Sequence, residues 1–313
     1  MKCDRCNHDA IIYVKYSGSH LCKDHFMEFV DKRVMKEMRL EGKLKEGSKI
    51  AVAVSGGKDS LLALYLLNKI YLDNRGISIE AITIDEGISG YREESIRYAK
   101  KFTSEYDIPH HIVSFRDITG KSLDEIVKMS WFIKEGKAPC TPCGVLRRFA
   151  LNKKAREIKA DKLATGHNLD DIAQTILMNI FKGDLKRLFR MGPHSTVIDG
   201  LVPRSFPLRL IPQTETYLYA YLKGFPIHET ECPYAESAHR GLYRDILLAA
   251  EDATPGTRHS IIKMYDSLIS LRNNDIREYK INICKKCGEP SSSSICQTCR
   301  ILDSIKNESK NLY

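Results

Sequence analysis

Apolar and polar positions in this chain alternate between two rhythms. The run Lys49-Ile50-Ala51-Val52-Ala53-Val54 has no polar interruption after its lysine and predicts a buried strand, and the leucine-rich stretch from about Asp59 to Tyr71 predicts a helix behind it. The same change of period recurs. Ile77 to Ile84 reads as a strand, Tyr91 to Tyr106 as a helix, His110 to Phe115 as a strand, Leu146 to Ile158 as a helix, and Lys162 to Thr165 as a short strand entering a loop at Gly166. Strands that alternate with helices pair in parallel through right-handed crossovers, so the pattern predicts an α/β fold with a doubly wound parallel sheet. Phe29 to Met38 carries apolar residues at helical spacing before Gly42 and Gly47, and Thr214 to Glu278 reads as mainly helical. The organisation expected is a knuckle over 1–27, a helical linker over 28–47, a catalytic domain over 48–213, a helical extension over 214–280, a second knuckle over 281–302 and a frayed Ser/Asn/Lys-rich tail over 303–313.

Composition changes this picture little. The 313 residues are 42% hydrophobic and 28% charged, ordinary for a soluble protein, and the formal net charge of +9 favours a polyanionic partner. No apolar run approaches membrane-spanning length and Met1-Lys2-Cys3-Asp4-Arg5-Cys6 has no signal-peptide core, so a cytoplasmic protein with no membrane association is expected.

The segment Ser55-Gly56-Gly57-Lys58-Asp59-Ser60 lies between the first strand and its helix. Two glycines let backbone N–H groups approach an anion, and the helix N-terminus adds a favourable dipole. The serines can donate hydrogen bonds and Lys58 supplies charge. The string is neither a Walker A loop nor a dinucleotide fingerprint. It resembles the PP-loop of the ATP-pyrophosphatases, which cleave ATP between its α- and β-phosphates. Asp59 beside a polyphosphate calls for a bridging Mg²⁺. A second segment, Gly166-His167-Asn168-Leu169-Asp170-Asp171-Ile172-Ala173-Gln174-Thr175, follows another strand at the sheet edge where ligands bind, and also reads as an aspartate-capped helix start. Ala53, Asp85, Gly166 and Asp171 join the loop residues as candidates for the ATP site.

Ten cysteines are many for a reducing compartment, and their spacing points to metal. Cys3-x2-Cys6, fifteen residues, then Cys22-x2-His25 is a Cys₃His zinc pattern; Cys284-x2-Cys287, eight residues, then Cys296-x2-Cys299 is a Cys₄ pattern. Four protein ligands close the coordination sphere, so both zinc ions are expected to be structural. Three cysteines remain: Cys140, Cys143 and Cys232. They admit a three-thiolate 4Fe–4S site, a persulfide-carrying pair resolved as a disulfide, or a third zinc that recruits His228 or His239. Spacing alone leaves cluster and persulfide open.

From one knuckle to the other, the chain resembles the archaeal and eukaryotic tRNA 2-thiouridine synthetases, the TtuA/NcsA group of PP-loop enzymes. The resemblance rests on the two terminal motifs, Ser55–Ser60, Gly166–Thr175, the string Cys140-Thr141-Pro142-Cys143-Gly144-Val145-Leu146-Arg147-Arg148, and Glu231-Cys232-Pro233-Tyr234 with Ala238-His239-Arg240-Gly241. It implies that Cys140, Cys143 and Cys232 hold a 4Fe–4S cluster, that Arg147 is the basic residue following the CxxC, and that Asp171 is a functional aspartate beside the adenylate. The implied reaction adenylates O2 of a tRNA uridine and replaces it with sulfur, with Cys140, Cys143, Cys232, Asp59, Arg147 and Asp171 as catalytic candidates and the wobble uridine preferred to the T-loop uridine. Free sulfide or a ubiquitin-like thiocarboxylate carrier is the implied sulfur donor, and a homodimer the implied assembly. Lys153-Lys154-Ala155-Arg156 and Lys182, Lys186, Arg187 and Arg190 are candidate tRNA contacts, with a solvated helix face as the alternative. Rival readings are another adenylating PP-loop enzyme, such as an amidating synthetase or a tRNA lysidine synthase, and a non-catalytic zinc RNA-binding protein.

Overall fold

The computed structural model describes residues 1–42, 44–71, 76–193, 199–226, 228, 230–235, 240–272 and 282–310. Ala238, His239, the end of the helical reading at 273–278 and the tail tip at 311–313 lie outside the described residues.

The chain opens with a small antiparallel ribbon, β1 (Ile12–Val14) and β2 (Ser19–Leu21), and passes directly into helix α1 (Lys23–Leu40). The helix expected at Phe29 begins six residues earlier because Cys22 is its N-cap and His25 lies in its first turn. Knuckle and linker therefore share one helix. Its Phe26, Val30, Val34 and Met38 recur at four-residue spacing and are buried in the main apolar cluster, which fastens the N-terminal unit to the core.

The catalytic fold follows the expected alternation: β3 (Lys49–Ala53), α2 (Lys58–Tyr71), β4 (Ser78–Asp85), α3 (Arg92–Glu105) and β5 (His110–Ser114). Three short helices that the periodicity did not indicate come next, α4 (Phe115–Thr119), α5 (Leu123–Ile126) and α6 (Ser130–Glu135). They are too short for a 3.6-residue rhythm to show, although Ser114 and Ser122 cap α4 and α5 with complete capping boxes. Helix α7 spans Cys140–Glu157, so the CxxC pair lies within the helix and not in the loop before Leu146. Pro139 and Pro142 do not prevent this start. A proline in the first turn costs no helical hydrogen bond, since those N–H groups have no acceptor within the helix.

After β6 (Lys162–Thr165) come α8 (Leu169–Phe181), α9 (Leu185–Leu188), the short edge strand β7 (Arg204–Ser205) and helices α10 (Gln213–Lys223), α11 (Arg240–Ala253) and α12 (Thr257–Arg272). The sheet order is β5-β4-β3-β6-β7 and every pairing is parallel. The order reverses between β3 and β6, which is the doubly wound arrangement expected. The chain ends in β8 (Asn282–Ile283), β9 (Pro290–Ser291) and α13 (Gln297–Lys310). That last helix corrects the frayed tail. Ile305 is buried against the cluster under α7, and Glu308 accepts the backbone N–H groups of Ser130 and Trp131 at the start of α6 (2.8 and 3.0 Å). No described helix is long and apolar enough to cross a membrane.

One buried titratable group in the sheet gives a test. His110 on β5 is held between the hydroxyls of Thr83 (2.7 Å) and Thr103 (3.2 Å), and desolvation, with the neighbouring His111 adding, lowers its pKa from 6.5 to about 4. Between these values the unfolded chain binds more protons than the folded one, so this contribution to stability is complete above 6.5 and is lost as the pH falls toward 4. We expect the urea midpoint to fall more steeply from pH 7 to pH 5 in the wild type than in His110→Gln; equal slopes would show that His110 is not held neutral.

Candidate functional site

The reversal of strand order leaves a crevice at the C-terminal ends of β3 and β6. A cavity of about 270 Å³ lies there. Its walls are Ala53, Ser55, Gly57, Asp59 and Ser60 from β3 and the loop into α2; Thr165, Gly166 and His167 after β6; Glu86 and Arg92 after β4; and Arg147 and Leu151 on α7.

The loop is shaped by backbone geometry. Gly56 has φ of +88°, and a Cβ there would overlap the carbonyl of Ser95. A Cβ on Gly166 would lie 2.7 Å from the Asp59 carbonyl carbon and the Ser60 nitrogen, so the two loops touch through a position with no room for a side chain. Ser60 Oγ accepts from Ser55 N–H (3.1 Å) and donates to the Gly57 carbonyl (2.8 Å), and Ser55 Oγ donates to Ser60 Oγ (3.2 Å). Both serine hydroxyls thus brace the loop, while the first turn of α2 presents backbone N–H groups that could donate to an anion. Asp59 is also engaged. Lys58 Nζ lies 2.6 Å from one of its oxygens and Thr216 Oγ1 donates to the other at 2.5 Å, so this pair of charges must separate before Lys58 can meet a phosphate or Asp59 a Mg²⁺.

Asp171 does not line the cavity. Asn168, not an aspartate, caps α8, and Asp171 stands three residues on, its carboxylate accepting the Asn168 N–H in a capping box. Asp85 ends β4 and accepts Gly87 N–H at 2.9 Å. The residue that sequence reasoning passed over is Glu86. Its carboxylate is 6% exposed and faces two guanidiniums, Arg92 Nε at 2.6 Å and Arg147 Nε at 3.2 Å. The contact to Arg92 is an ion pair lying off the hydrogen-bonding angle. Arg92 also donates to the Ser55 carbonyl (3.1 Å) and to Ser95 Oγ (2.9 Å). The signal was present: both residues follow the C-terminal end of a strand adjacent to β3, where ligands gather in such sheets.

On the far side of Arg147 are the central cysteines. Arg147 Nη2 donates to Cys143 Sγ at 3.1 Å. Cys143 is buried, Cys140 is exposed at the first position of α7, and Cys232 is part-buried in the apolar cluster that holds Cys143. Cys140 Sγ donates to the carbonyl of Tyr234 at 3.6 Å, and Tyr234 is anchored through its hydroxyl to Asp124 (2.7 Å). Burial raises the pKa of Cys143, an effect that Arg147 opposes, and burial also raises that of Cys232. Cys143 and Cys232 share one apolar cluster, and Cys140 is near enough to both to disfavour their thiolates. Three thiolates fit a 4Fe–4S cluster with one iron lacking a protein ligand. His228, offered as a ligand for a third zinc, pairs with Glu94 at 3.4 Å and packs on Tyr91 instead.

The two outer sets do gather so: Cys3, Cys6, Cys22 and His25, and Cys284, Cys287, Cys296 and Cys299. In each, the second ligand pair sits at the N-terminus of a helix, α1 or α13. Backbone N–H of Cys296 donates to Cys284 Sγ at 3.3 Å, and such contacts lower the Cys284 pKa to about 6, which favours the thiolate a zinc ion requires.

Of the basic candidates, Lys154 pairs with Glu157 (3.2 Å), Arg156 with Glu289 of the C-terminal knuckle, and Arg187 with Asp184 (3.1 Å). Arg156 thereby joins α7 to that knuckle. Lys153, Lys182, Lys186 and Arg190 are exposed.

Comparison with known proteins places the whole chain in a family. Residues 27–245 match the PP-loop domain family, and residues 2–27 match the N-terminal LIM domain of the 2-thiouridine synthetase TtuA. The tRNA 2-thiolation protein NcsA of Haloferax volcanii is 39% identical over 98% of this chain and 99% of its own. The tRNA-5-methyluridine(54) 2-sulfurtransferase of Pyrococcus horikoshii is 35% identical over 96% of this chain and 93% of its own. Among solved structures, the U34-tRNA thiolase NcsA from Methanococcus maripaludis, with its [4Fe-4S] cluster, superposes with a TM-score of 0.82 at 38% identity, covering 100% of this chain and 96% of that one.

Two outcomes are expected from this geometry. Gly166→Ala forces the two loops apart and should weaken ATP binding by about tenfold or more in equilibrium dialysis, a loss of ~1.4 kcal/mol; unchanged binding would place the nucleotide elsewhere. Cys287→Ser should lower the zinc content, read by elemental analysis, by about one ion per chain. Retention of all zinc would show that this cluster is not a metal site.

Proposed function

The chain belongs to the PP-loop family of tRNA 2-thiolation proteins, and from that premise we propose that it is an ATP-dependent tRNA-uridine 2-sulfurtransferase. One observation carries the reading: Arg147 lines the cavity and also donates from Nη2 to Cys143 Sγ. A nucleotide in the cavity and a sulfur species at the cysteines would meet across that side chain.

The 2-oxygen of a uridine is a poor leaving group, and attack of O2 on the α-phosphate of ATP remedies this. Pyrophosphate departs, and the base carries AMP on that oxygen. A sulfur nucleophile then adds at C2 and AMP leaves with the former carbonyl oxygen. Cys140, Cys143 and Cys232 would hold a 4Fe–4S cluster, which when bound supplies one iron without a protein ligand, open to a sulfur anion. The rest is the work of the chain's own groups. The first turn of α2 holds the phosphates through backbone N–H groups, and Arg147, with Lys58 once released from Asp59, offsets the charge that develops on them. Glu86 keeps Arg147 aimed between cavity and thiol. The target base must be unpaired or extruded to bring C2 within reach.

The wobble uridine is the proposed target, supported by the 38% identity and full coverage shared with the U34-tRNA thiolase; a uridine at position 54 is the second reading, supported by the Pyrococcus relative. Free sulfide or a ubiquitin-like thiocarboxylate carrier is the proposed sulfur source, a second copy of the chain the proposed partner, and the cytoplasm the proposed location, in keeping with relatives named cytoplasmic tRNA 2-thiolation protein 1.

The test is anaerobic incubation with tRNA, ATP and sulfide, followed by nuclease digestion and mass spectrometry. We expect 2-thiouridine at the wobble position with matching AMP release in the wild type, and about four irons per chain that Cys140→Ala loses while its zinc is retained. AMP release without thiolated uridine, or full activity in Cys140→Ala, would point to a different PP-loop adenylating enzyme.

A further inference from the structure

Beside the cavity, Asn152 of α7 donates to the Gly200 carbonyl (2.8 Å) and accepts the Val202 N–H (3.0 Å), and this seam sets arginines of α7 beside that of β7. Arg147 and Arg148 lie on α7, Arg187 on α9 and Arg204 on β7. Arg147 is paired with Glu86 and Arg187 with Asp184. Arg148 and Arg204 form no ion pair or hydrogen bond with any carboxylate among the described residues. Arg148 folds back along its own helix, with Nη1 only 3.2 Å from where a methyl at Gly144 would be, which directs it toward the turn carrying Cys140 and Cys143. Arg204 is paired in register with Leu163 of β6, the strand whose end forms a wall of the cavity, and is part-buried.

The electrostatics agree with that placement. Desolvation lowers the pKa of Arg148, and the charges of Arg147 and Arg187 add to the effect; desolvation lowers that of Arg204 to about 10, with the charge of Arg148 adding. Arg148 is exposed and Arg204 part-buried, so an anion arriving from solvent could join both and offset their mutual repulsion.

We propose that Arg148 and Arg204 form a phosphodiester-binding site that holds the tRNA backbone next to the target uridine. The guanidinium fork matches a phosphate's paired oxygens, and phosphate contacts set the register of a nucleic acid without reading its sequence. Lys186 and Arg190, on and just after α9, are exposed and add positive charge to the segment that carries Arg187. The assignment rests on the proposed tRNA substrate, and it separates Arg148 from its neighbour Arg147: one grips the backbone, the other faces the reacting groups.

The test reads binding and turnover separately, using the full chain and an unmodified tRNA transcript. Arg148→Gln and Arg204→Gln should each weaken tRNA binding, measured by fluorescence anisotropy, by about tenfold and reduce the slope of log Kd against log salt by about 0.7–0.9 per lost contact. Arg204→Lys should fall between wild type and Arg204→Gln. The KM for ATP should not move. Arg148 is exposed and Arg204→Gln removes an unpaired charge, so melting temperatures should hold or rise, and a drop would assign Arg204 a structural role in place of the proposed one. Unchanged tRNA affinity and salt slope would overturn the site. A raised KM for ATP with tRNA binding intact would overturn it too, giving the cluster to the nucleotide's phosphates. If the wild type binds tRNA but thiolates nothing, the proposed reaction fails while the binding comparison still decides the site.

Discussion

A single carboxylate holds the functional centre in shape. Glu86 is buried between the guanidiniums of Arg92 and Arg147, and an unpaired charge in that position would cost several kcal/mol. Each guanidinium then spends its remaining donors elsewhere: Arg92 on the phosphate loop through the Ser55 carbonyl, Arg147 on Cys143. The loop at the end of β3 and the first turns of α7 are thus tied by polar contacts through one acid. Apolar packing could bring the same elements together, but it is non-directional and could not fix the orientation of a guanidinium. The ion pairs set the aim, and the apolar cluster around Ile82, Ile84 and Leu146 supplies the cohesion beneath them.

The two metal knuckles solve a second problem, that of starting a helix. A first turn leaves N–H groups without partners and is costly to nucleate. Cys22 and His25, and again Cys296 and Cys299, place candidate ligands on that turn, so an ion held there would fix the backbone where it is least stable. Each helix then packs inward: α1 through the Phe26–Met38 stripe, and α13 through Ile305 and the Glu308 carboxylate, which closes onto the first turn of α6. Arg156 and Glu289 add a seam between α7 and the second knuckle. The terminal modules are therefore attached to opposite faces of the sheet by helices that each begin at a set of candidate metal ligands.

Much of this was legible in the residues. The parallel sheet followed from alternating periods, the terminal ligand sets from cysteine spacing, and the turn between β3 and α2 from the glycine string after the first strand. What the sequence hid has common physical causes. The start of α7 was obscured because Pro139, Pro142 and Gly144 break helices in the interior but are tolerated in a first turn. The helical tail was obscured because composition suggested solvent while only Ile301 and Ile305, four apart, carried the packing signal. Glu86 stayed hidden because a lone glutamate after a strand reads as a solvated charge, and only tertiary contact shows the two arginines around it. Lys58 and Asp59 were read separately as phosphate and metal groups. In the fold they neutralise each other, and no linear motif expresses that.

The contact between Gly166 and the Asp59–Ser60 peptide has a consequence for how such a protein can change over time. The two loops come from distant parts of the chain, yet at that point they occupy space as one object. Neither can be exchanged for a homologous loop of different width unless the other is exchanged with it. A side chain at position 166 would have to be met by a shift of the Asp59–Ser60 peptide, so the two segments are bound to vary together.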